Sequence, residues 1–219
     1  MKVTINKAIT VIFIVLFLGG CATSRGIVSL QVPESNMQVQ SNGKSIFIRT
    51  VSDTRIFQEN PKSPDTPSLG FGGANNASKE LKKRAIARKR NGFGKALGDI
   101  LLEENQTVES VIKDSLEKSL YEAGYMIIRN KEKIKHTTII IDASIDKFWS
   151  WMKPGFWAIT LSSEIDVKLT ITNPKEKRKQ IYVKSEGHYQ MASGGNWLEV
   201  MNKSVEQFSN KTKEYLSEI

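Results

Sequence analysis

The sequence predicts an α+β fold: a two-layer sandwich with two amphipathic helices packed on one face of a mainly antiparallel sheet of four to five strands. Two segments with helical spacing of apolar residues, 107–123 and 196–215, flank three long segments in which apolar and polar residues alternate. A sheet with one apolar face and helices with one apolar stripe bury these surfaces by packing against one another.

A first strand is predicted over residues 45–51, where β-branched and aromatic residues follow an Asn-Gly turn at 42–43. Residues 58–95 then interrupt the pattern with three prolines, a glycine-rich stretch and a basic run, and we expect one exposed helix over 79–90. Because a loop of this length in a compact domain is usually functional or disordered, we interpret 58–95 as an insertion.

The first long helix is predicted over 107–123, because its apolar residues recur at spacings of three and four. Thr107 is a suitable N-cap, and Gly124 is a suitable residue to end the helix in the left-handed conformation. The last helix is predicted to begin at Asn196, because Glu199 three residues later completes a capping-box pattern.

Three strands are predicted over 137–151, 156–172 and 179–191, with turns at 153–155 and 173–175. Their alternation predicts an antiparallel meander with one buried face and one solvated face. On one face of the first of these strands, the pattern places Ile139, Ile141, Ala143, Ile145, Trp149 and Trp151.

The chain carries a formal net charge of +9, and much of the excess lies in residues 79–95, where eight basic residues accompany Glu80 alone. Such a segment favours contact with anionic surfaces: phospholipid headgroups, lipopolysaccharide phosphates or acidic proteins. A solvated segment without a partner is the alternative. The residues that we expect to contact an anionic partner are Lys82, Lys83, Arg84, Arg88, Lys89 and Arg90.

Five aromatic residues surround the predicted turn at 153–155 and include three of the four tryptophans. Neighbouring positions 148 and 149 point to opposite faces of a strand, so one layer cannot bury the whole group. Capping of the core is the alternative, but an exposed aromatic tip suits a membrane interface or a partner groove. We interpret as an aromatic contact site Phe148, Trp149, Trp151, Phe156 and Trp157.

The sequence contains no recognisable catalytic motif, and we predict neither a catalytic residue, a metal site nor a cofactor. Its two histidines have no helix-spaced partner, and no nucleophile elbow is present. Carboxylates on neighbouring strands are better explained as cross-strand partners of residues such as Lys168 or Lys184 than as a glycosidase pair. These carboxylates are Asp142, Asp146, Glu164 and Asp166.

The N-terminus has the pattern of a secretory signal peptide, with Lys2 and Lys7 before a short apolar run over 8–18. The string Leu18-Gly19-Gly20-Cys21 resembles the lipobox of bacterial lipoproteins. This resemblance implies cleavage between Gly20 and Cys21, a diacylglyceryl group on the Cys21 thiol and a further acyl chain, such as palmitate, on the new amine. An ordinary signal peptide or anchor helix, with an incidental cysteine, is the alternative.

We therefore expect a cleaved signal peptide over 1–20, a lipidated tether over 21–44 with a short strand around 27–32, and one periplasmic domain over 45–219. Cys21 is the only cysteine, and a lone exposed thiol in an oxidising compartment is better explained as acylated than as reactive. Ala22 is not acidic, and the sorting rule of enteric-type bacteria then implies the outer membrane. Nucleic acid is not expected as a partner in this compartment.

Several features of the chain resemble the YajG-like family of bacterial outer-membrane lipoproteins. They are the stretch Leu120-Tyr121-Glu122-Ala123-Gly124-Tyr125, the strands over 139–145, 163–172 and 182–189, and the closing helix. The resemblance implies a lipid-anchored α+β domain on the periplasmic face of the outer membrane. We expect a non-enzymatic binding or assembly module of the cell envelope, with the membrane and an envelope protein or anionic lipid as partners. The alternative is a lipid-handling accessory of an envelope transport system, with an acyl chain between helices and sheet.

Overall fold

The computed structural model describes residues 25–35, 38–70, 72–90, 95–173 and 175–218. These residues form eight strands, three α-helices and a short 3-10 helix at Lys131–Lys133. The strands are β1 Gly26–Val28, β2 Ser45–Asp53, β3 Ala85–Arg90, β4 Ala96–Leu102, β5 Met126–Ile127, β6 Ile139–Pro154, β7 Ile159–Thr172 and β8 Lys177–Tyr189. The helices are α1 Lys79–Arg84, α2 Val108–Glu122 and α3 Gly194–Ser217.

The α+β class is confirmed, but the prediction of a mainly antiparallel sheet of four to five strands with two helices is wrong. Within the described part of the chain the sheet has eight strands and is mixed. β6 is its longest strand, and β7 and β8 extend the sheet antiparallel on one side. On the other side β2 and β3 both run parallel to β6. Parallel pairing requires a long connection, and long segments of chain separate both strands from β6.

Helix α2 lies where the spacing of apolar residues predicts it. The Thr107 hydroxyl accepts a hydrogen bond from the Ser110 amide at 3.1 Å, which satisfies one free donor of the first turn. Gly124 ends the helix at φ 84°, and a Cβ there would lie 2.6 Å from the Gln40 carbonyl oxygen. Both the backbone conformation and the close approach therefore require glycine at this position.

Helix α3 begins two residues earlier than predicted. Its N-cap is Ser193, whose hydroxyl accepts a hydrogen bond from the Asn196 amide at 3.2 Å. The prediction of Asn196 as the cap is therefore wrong, because Ser193 is an equally good capping residue and precedes two glycines that adopt helical geometry.

The main core lies between the sheet and helices α2 and α3. Each helix contributes one apolar stripe, as its spacing predicts. The same face of β7 and β8 is apolar, so the predicted alternation of these two strands is confirmed. The fully buried contacts between helices and sheet include Ile112, Leu116, Leu120, Met201, Phe208, Ile141, Ile145 and Ile165.

A β-bulge in β6 changes which side chains face this core. The pairing with β7 shifts between Ile145 and Lys147, so one extra residue enters β6 at Asp146. Beyond the bulge, Phe148 packs into the main core, whereas Trp149 and Trp151 lie on the opposite face. The prediction that these tryptophans share a face with Ile139 and Ile145 is therefore wrong, because strict alternation fails at the extra residue.

A second, smaller core covers the opposite face of the sheet beside β3 and β4. Trp149 and Trp151 pack there against Leu69, Ala85 and Leu101. Phe57, Ala77 and Leu81, which belong to the loop over 54–78 and to α1, close it from outside. The segment 58–95 therefore contributes a lid to the folded domain and a strand to its sheet.

The expected single exposed helix over 79–90 is wrong. Helix α1 ends at Arg84, and β3 continues as a sheet strand in which Ala85, Ile86 and Ala87 are buried. Pairing with β4 satisfies the backbone hydrogen-bonding groups of β3. A helix of this highly charged sequence would bury the three apolar residues less well.

Arg55 joins the lid to both neighbouring strands. Its buried guanidinium forms a two-point ion pair with the Asp53 carboxylate, at 2.8 Å from Nε and 2.7 Å from Nη2. It also donates to the carbonyl oxygens of Ala85 and Phe148 at 2.7 and 3.0 Å, and to that of Lys82 at 2.8 Å. One side chain thus fixes the relative positions of β2, α1, β3 and β6.

The predicted tether over 21–44 already includes part of the fold. β1 pairs parallel with β4, and Val28 and Leu30 are buried in the main core. The Gln106 side chain holds Leu30 by accepting from its amide at 3.1 Å and donating to its carbonyl at 2.8 Å. Among the described residues, no helix is long and apolar enough to span a bilayer.

Candidate binding surfaces

The structure divides the predicted aromatic contact site into two groups. Phe148 and Trp149 are 0% exposed and Trp151 is 3% exposed, so burial in the two cores excludes them from a contact surface. Phe156 and Trp157 are 90% and 83% exposed at the turn between β6 and β7. The aromatic surface is therefore a pair at the tip of this hairpin.

The tip of the hairpin has a defined shape. The rings of Phe156 and Trp157 stack edge to face, with centroids 4.8 Å apart. A Cβ on Gly155 would lie 2.4 Å from the Ala158 carbonyl oxygen, so the turn excludes a side chain at that position. Met191, two residues beyond the pair Ile159–Tyr189, adds a third exposed apolar side chain at the same end of the sheet.

The arginines of the predicted anionic-partner site are bonded within the domain. Arg84 donates to the Leu102 carbonyl at 2.9 Å, and Arg90 donates to Pro61 and Ser68 at 3.1 and 3.2 Å. Burial, followed by the neighbouring Arg88 charge, lowers the pKa of Arg90. These hydrogen bonds tie the arginine side chains to the folded domain, so the side chains are less available to bind a partner.

The remaining members of that predicted site do not form one patch facing solvent. Arg88 donates to the Glu59 carbonyl at 3.5 Å, and Lys83 forms an ion pair with Glu109 at 3.2 Å. Lys82 and Lys89 are half-buried. β3 places alternate side chains of its basic residues against the lid, and contact of these six residues with an anionic partner stays a prediction.

The carboxylates of the polar sheet face are each engaged by a neighbour. Asp142 accepts from the Arg49 Nε at 2.9 Å and from the Thr50 hydroxyl at 2.6 Å. Asp146 pairs with Lys168 at 2.5 Å. The hydrogen bond from Arg49 lowers the pKa of Asp142, and the hydrogen bond from Lys168 does the same for the pKa of Asp146.

The other two carboxylates lie further along the same face. Glu164 pairs with Lys147 at 2.5 Å and accepts from the Tyr182 hydroxyl at 3.0 Å. Burial, and then the bond to Glu164, raise the pKa of Tyr182 to about 12. Asp166 accepts two bonds from the Gln180 amide at 2.8 and 2.9 Å. Each carboxylate thus has a cross-strand partner of the kind that stabilises sheets.

A cluster of cations at the opposite end of the sheet from the hairpin tip was not predicted from the sequence. Lys44, Lys175 and Lys177 line a hollow of 350 Å³ whose floor includes Ile139 and Ile171. A neighbouring hollow of 580 Å³ on the polar face brings further cations beside it. We call this surface the basic end and define it as Lys44, Lys175, Lys177 and Lys179; Arg178 beside them forms an ion pair with Glu176 at 2.8 Å.

Local geometry fixes the basic end. Asn173 adopts φ 91° and donates to the Thr138 carbonyl at 3.1 Å, which turns the chain from β7 towards β8. Lys179 lies over the Tyr215 ring, with its Nζ 5.1 Å from the centroid. The sequence signal was the stretch 175–179, with four cations and Glu176, but its position between a predicted turn and a predicted strand did not indicate its proximity to Lys44.

The seam between the helices and the sheet is filled by side chains. Leu116, Leu120, Met201 and Phe208 are all fully buried there. The lipid-handling alternative, which places an acyl chain in this seam, stays a prediction. A groove of 460 Å³ lies outside the seam, between residues 31–35 and helices α2 and α3.

Glu122 at the rim of this groove is largely buried and bonded by Lys118, with Lys213 at 3.6 Å. Burial alone would raise its pKa, but hydrogen bonds from Lys118 and Ser35 lower it. Glu122→Gln should cost about 1–2 kcal/mol of unfolding free energy at pH 7, because a charged hydrogen bond is lost. The folded state holds the carboxylate at a pKa below its unfolded value, so its contribution is present at neutral pH.

As the pH falls through that lowered pKa, the wild-type chain loses the same interaction and the difference between the two proteins should vanish. Urea unfolding at pH 7 and at acidic pH measures this, with the exposed Glu206→Gln as control. An undiminished difference in acid would show that Glu122 acts by packing alone.

Among the described residues, no group of three or more His, Cys, Asp or Glu side chains is arranged to hold a metal ion. The described surface therefore offers two distinctive features: the aromatic pair at the hairpin tip and the basic end.

No protein-family model matches the sequence, and no curated protein matches it. Solved structures with a related arrangement include a Xanthomonas campestris protein of family DUF330 (TM-score 0.43, 8% identity, covering 89% of this chain and 93% of that one). A hypothetical protein from Chlamydia trachomatis has a TM-score of 0.42 at 6% identity, covering 81% and 100%. A minor lipoprotein from Acinetobacter baumannii has a TM-score of 0.34 at 8% identity, covering 50% and 88%. Similarity at this level does not transfer a function.

Proposed function

We propose that the chain is a lipid-anchored, non-enzymatic binding module of the bacterial cell envelope. Acyl groups on Cys21 would hold it at the periplasmic face of the outer membrane, and it would use no other cofactor. The lipobox-like string ending in Cys21 and the absence of any other cysteine in the sequence support the anchor. Residues 18–21 lie outside the described part of the chain.

Cys21→Ser tests the anchor. The variant should lose labelling by radioactive palmitate and move from the membrane fraction to the soluble periplasmic fraction, because a thiol is the acceptor of the diacylglyceryl group. Cell fractionation measures the location of each protein, and the intact mass of the purified proteins measures their acylation. Retention of the variant in the membrane fraction, with a mass that differs from wild type only by the exchange of sulfur for oxygen, would refute the anchor.

The basic end is the observation that carries the binding role. β1 is antiparallel to β6, through β4 and β3, so the anchored N-terminus enters at the end of the sheet where β6 finishes. The basic end lies where β6 begins, roughly 36 Å from the level of Gly26 along the strand from Ser150 to Ile139. The anchored domain would thus present its cations away from the membrane, to a partner with an acidic surface.

The double variant Lys175→Glu and Lys177→Glu tests this role in the full-length protein. Crosslinking in cells followed by purification should recover an acidic envelope protein with wild type. Recovery should fall at least about tenfold with the variant, because like charges would then face one another. The control is Lys62→Glu and Lys203→Glu, which makes the same change in net charge at exposed positions elsewhere.

Equal recovery with all three proteins would refute the basic end as the interface. Recovery of anionic lipid alone, lost in the variant, would assign the same cations to a lipid surface and refute the protein partner.

A further inference from the structure

The start of β1 and the tip of the β6–β7 hairpin lie at the same end of the sheet. Gly26 pairs with Ile100 in β4, which pairs with Ala87 in β3, which in turn pairs with Ser150 in β6. β6 continues beyond this level towards Phe156, and β1, which is antiparallel to β6, begins at this level.

The two segments have similar reach beyond this common level. Cys21 is five residues from Gly26, so the chain can span at most about 18 Å between them. From Ser150 to the tip of the hairpin, four residues of strand advance about 13 Å, and the turn adds to this distance. A lipid on Cys21 and the side chains of Phe156 and Trp157 can therefore reach the same plane.

The composition of the tip suits the interface of a bilayer. Phe156 and Trp157 are almost fully exposed, and Met191 beside them is 67% exposed. Lys153 is exposed at the base of the turn, and the sequence has no Asp or Glu from 147 to 163. Aromatic rings at headgroup depth, flanked by lysine, are typical of membrane–water interfaces, where anionic lipids attract the lysine.

We propose that the Phe156–Trp157 tip inserts into the interface of the same bilayer that carries the lipid on Cys21. This inference rests on the proposed lipid anchor. A single flexible anchor leaves the domain free to rotate, whereas the anchor and the tip together form two contacts with the membrane. The domain then stands with the start of β6 and the basic end farthest from the bilayer.

Tryptophan fluorescence tests the contact directly, because the other three tryptophans, Trp149, Trp151 and Trp197, are buried. The acylated full mature chain is reconstituted in vesicles of phosphatidylethanolamine and phosphatidylglycerol, with and without phospholipids brominated near the headgroup. The difference in emission between wild type and Trp157→Phe isolates Trp157. Bromolipids should remove at least about half of this difference, because tryptophan in a membrane interface lies at headgroup level. The buried tryptophans should remain unquenched.

A second arm separates the tip from the anchor. The Cys21→Ser chain with an N-terminal histidine tag is attached to vesicles through nickel-chelating lipids and should show the same quenching. Unquenched Trp157 in both arms would overturn the inference, and so would quenching only after a protein partner is added. If mass measurement finds no acyl group on Cys21, the proposed lipid anchor is refuted. Quenching of Trp157 in the tagged arm then still decides whether the tip contacts the membrane.

Discussion

Arg55→Met is expected to destabilise the domain by about 3–5 kcal/mol, because it leaves a largely buried carboxylate without its cation. The substitution would place an apolar side chain of similar length beside the Asp53 carboxylate. The carbonyl oxygens of Ala85, Phe148 and Lys82 would also lose the donor that each now shares. Urea unfolding monitored by circular dichroism measures the loss, which should appear as a lower midpoint with little change in slope.

Arg49→Met is the matched control. Arg49 also forms a two-point pair with an aspartate, Asp142, but its side chain is exposed and water screens the pair. The midpoint of this control should hardly move. Adding Asp53→Leu to Arg55→Met should recover part of the lost stability, because the unpaired charge is then removed. Equal effects of Arg55→Met and Arg49→Met would contradict the role of burial.

Trp149→Ala is expected to cost about 3–5 kcal/mol and to release the lid over 54–78 before the rest of the domain unfolds. Trp149 packs edge to face against Phe57, with centroids 5.9 Å apart, and its indole N–H donates to the Pro64 carbonyl at 3.2 Å. Removing the indole leaves a cavity and an unsatisfied carbonyl in the second core. Hydrogen exchange should accelerate first in the lid and in β3, and limited proteolysis should cut within 54–78.

The chain provides its own control for this substitution. Trp157→Ala removes the same side chain eight residues later but from solvent, so stability should change by no more than about 0.5 kcal/mol. If Trp149→Ala unfolded the main core and the lid together, the expected early release of the lid would be contradicted.

The parts of the fold that follow from local pattern could be predicted from the sequence. Helix α2 and strands β7 and β8 each have a single regular spacing of apolar residues, and each packs one face on the core. Local capping preferences also place the start of α2 at Thr107. These features depend on neighbours within a few positions along the chain, so the sequence alone contains them.

The rest depends on distant partners. β3 has only three apolar residues among its six, and it becomes a strand because β4 and β6 satisfy its backbone. The bulge at Asp146 moves Trp149 and Trp151 to the other face, and no local spacing signals an extra residue. The basic end joins Lys44 to Lys177 across the sheet, so a linear reading of charge finds the run over 79–95 instead.

The parallel pairing of β2 with β6 also determines when the domain can fold. β2 emerges early, but its partner lies far along the chain, since Ile46 pairs with Ile139. The same holds for β1, because Gly26 pairs with Ile100. Native structure in the N-terminal half therefore cannot close until β6 has been synthesised, and such non-local topologies fold slowly. A chain that stays open this long exposes unpaired strands, which are natural clients for chaperones.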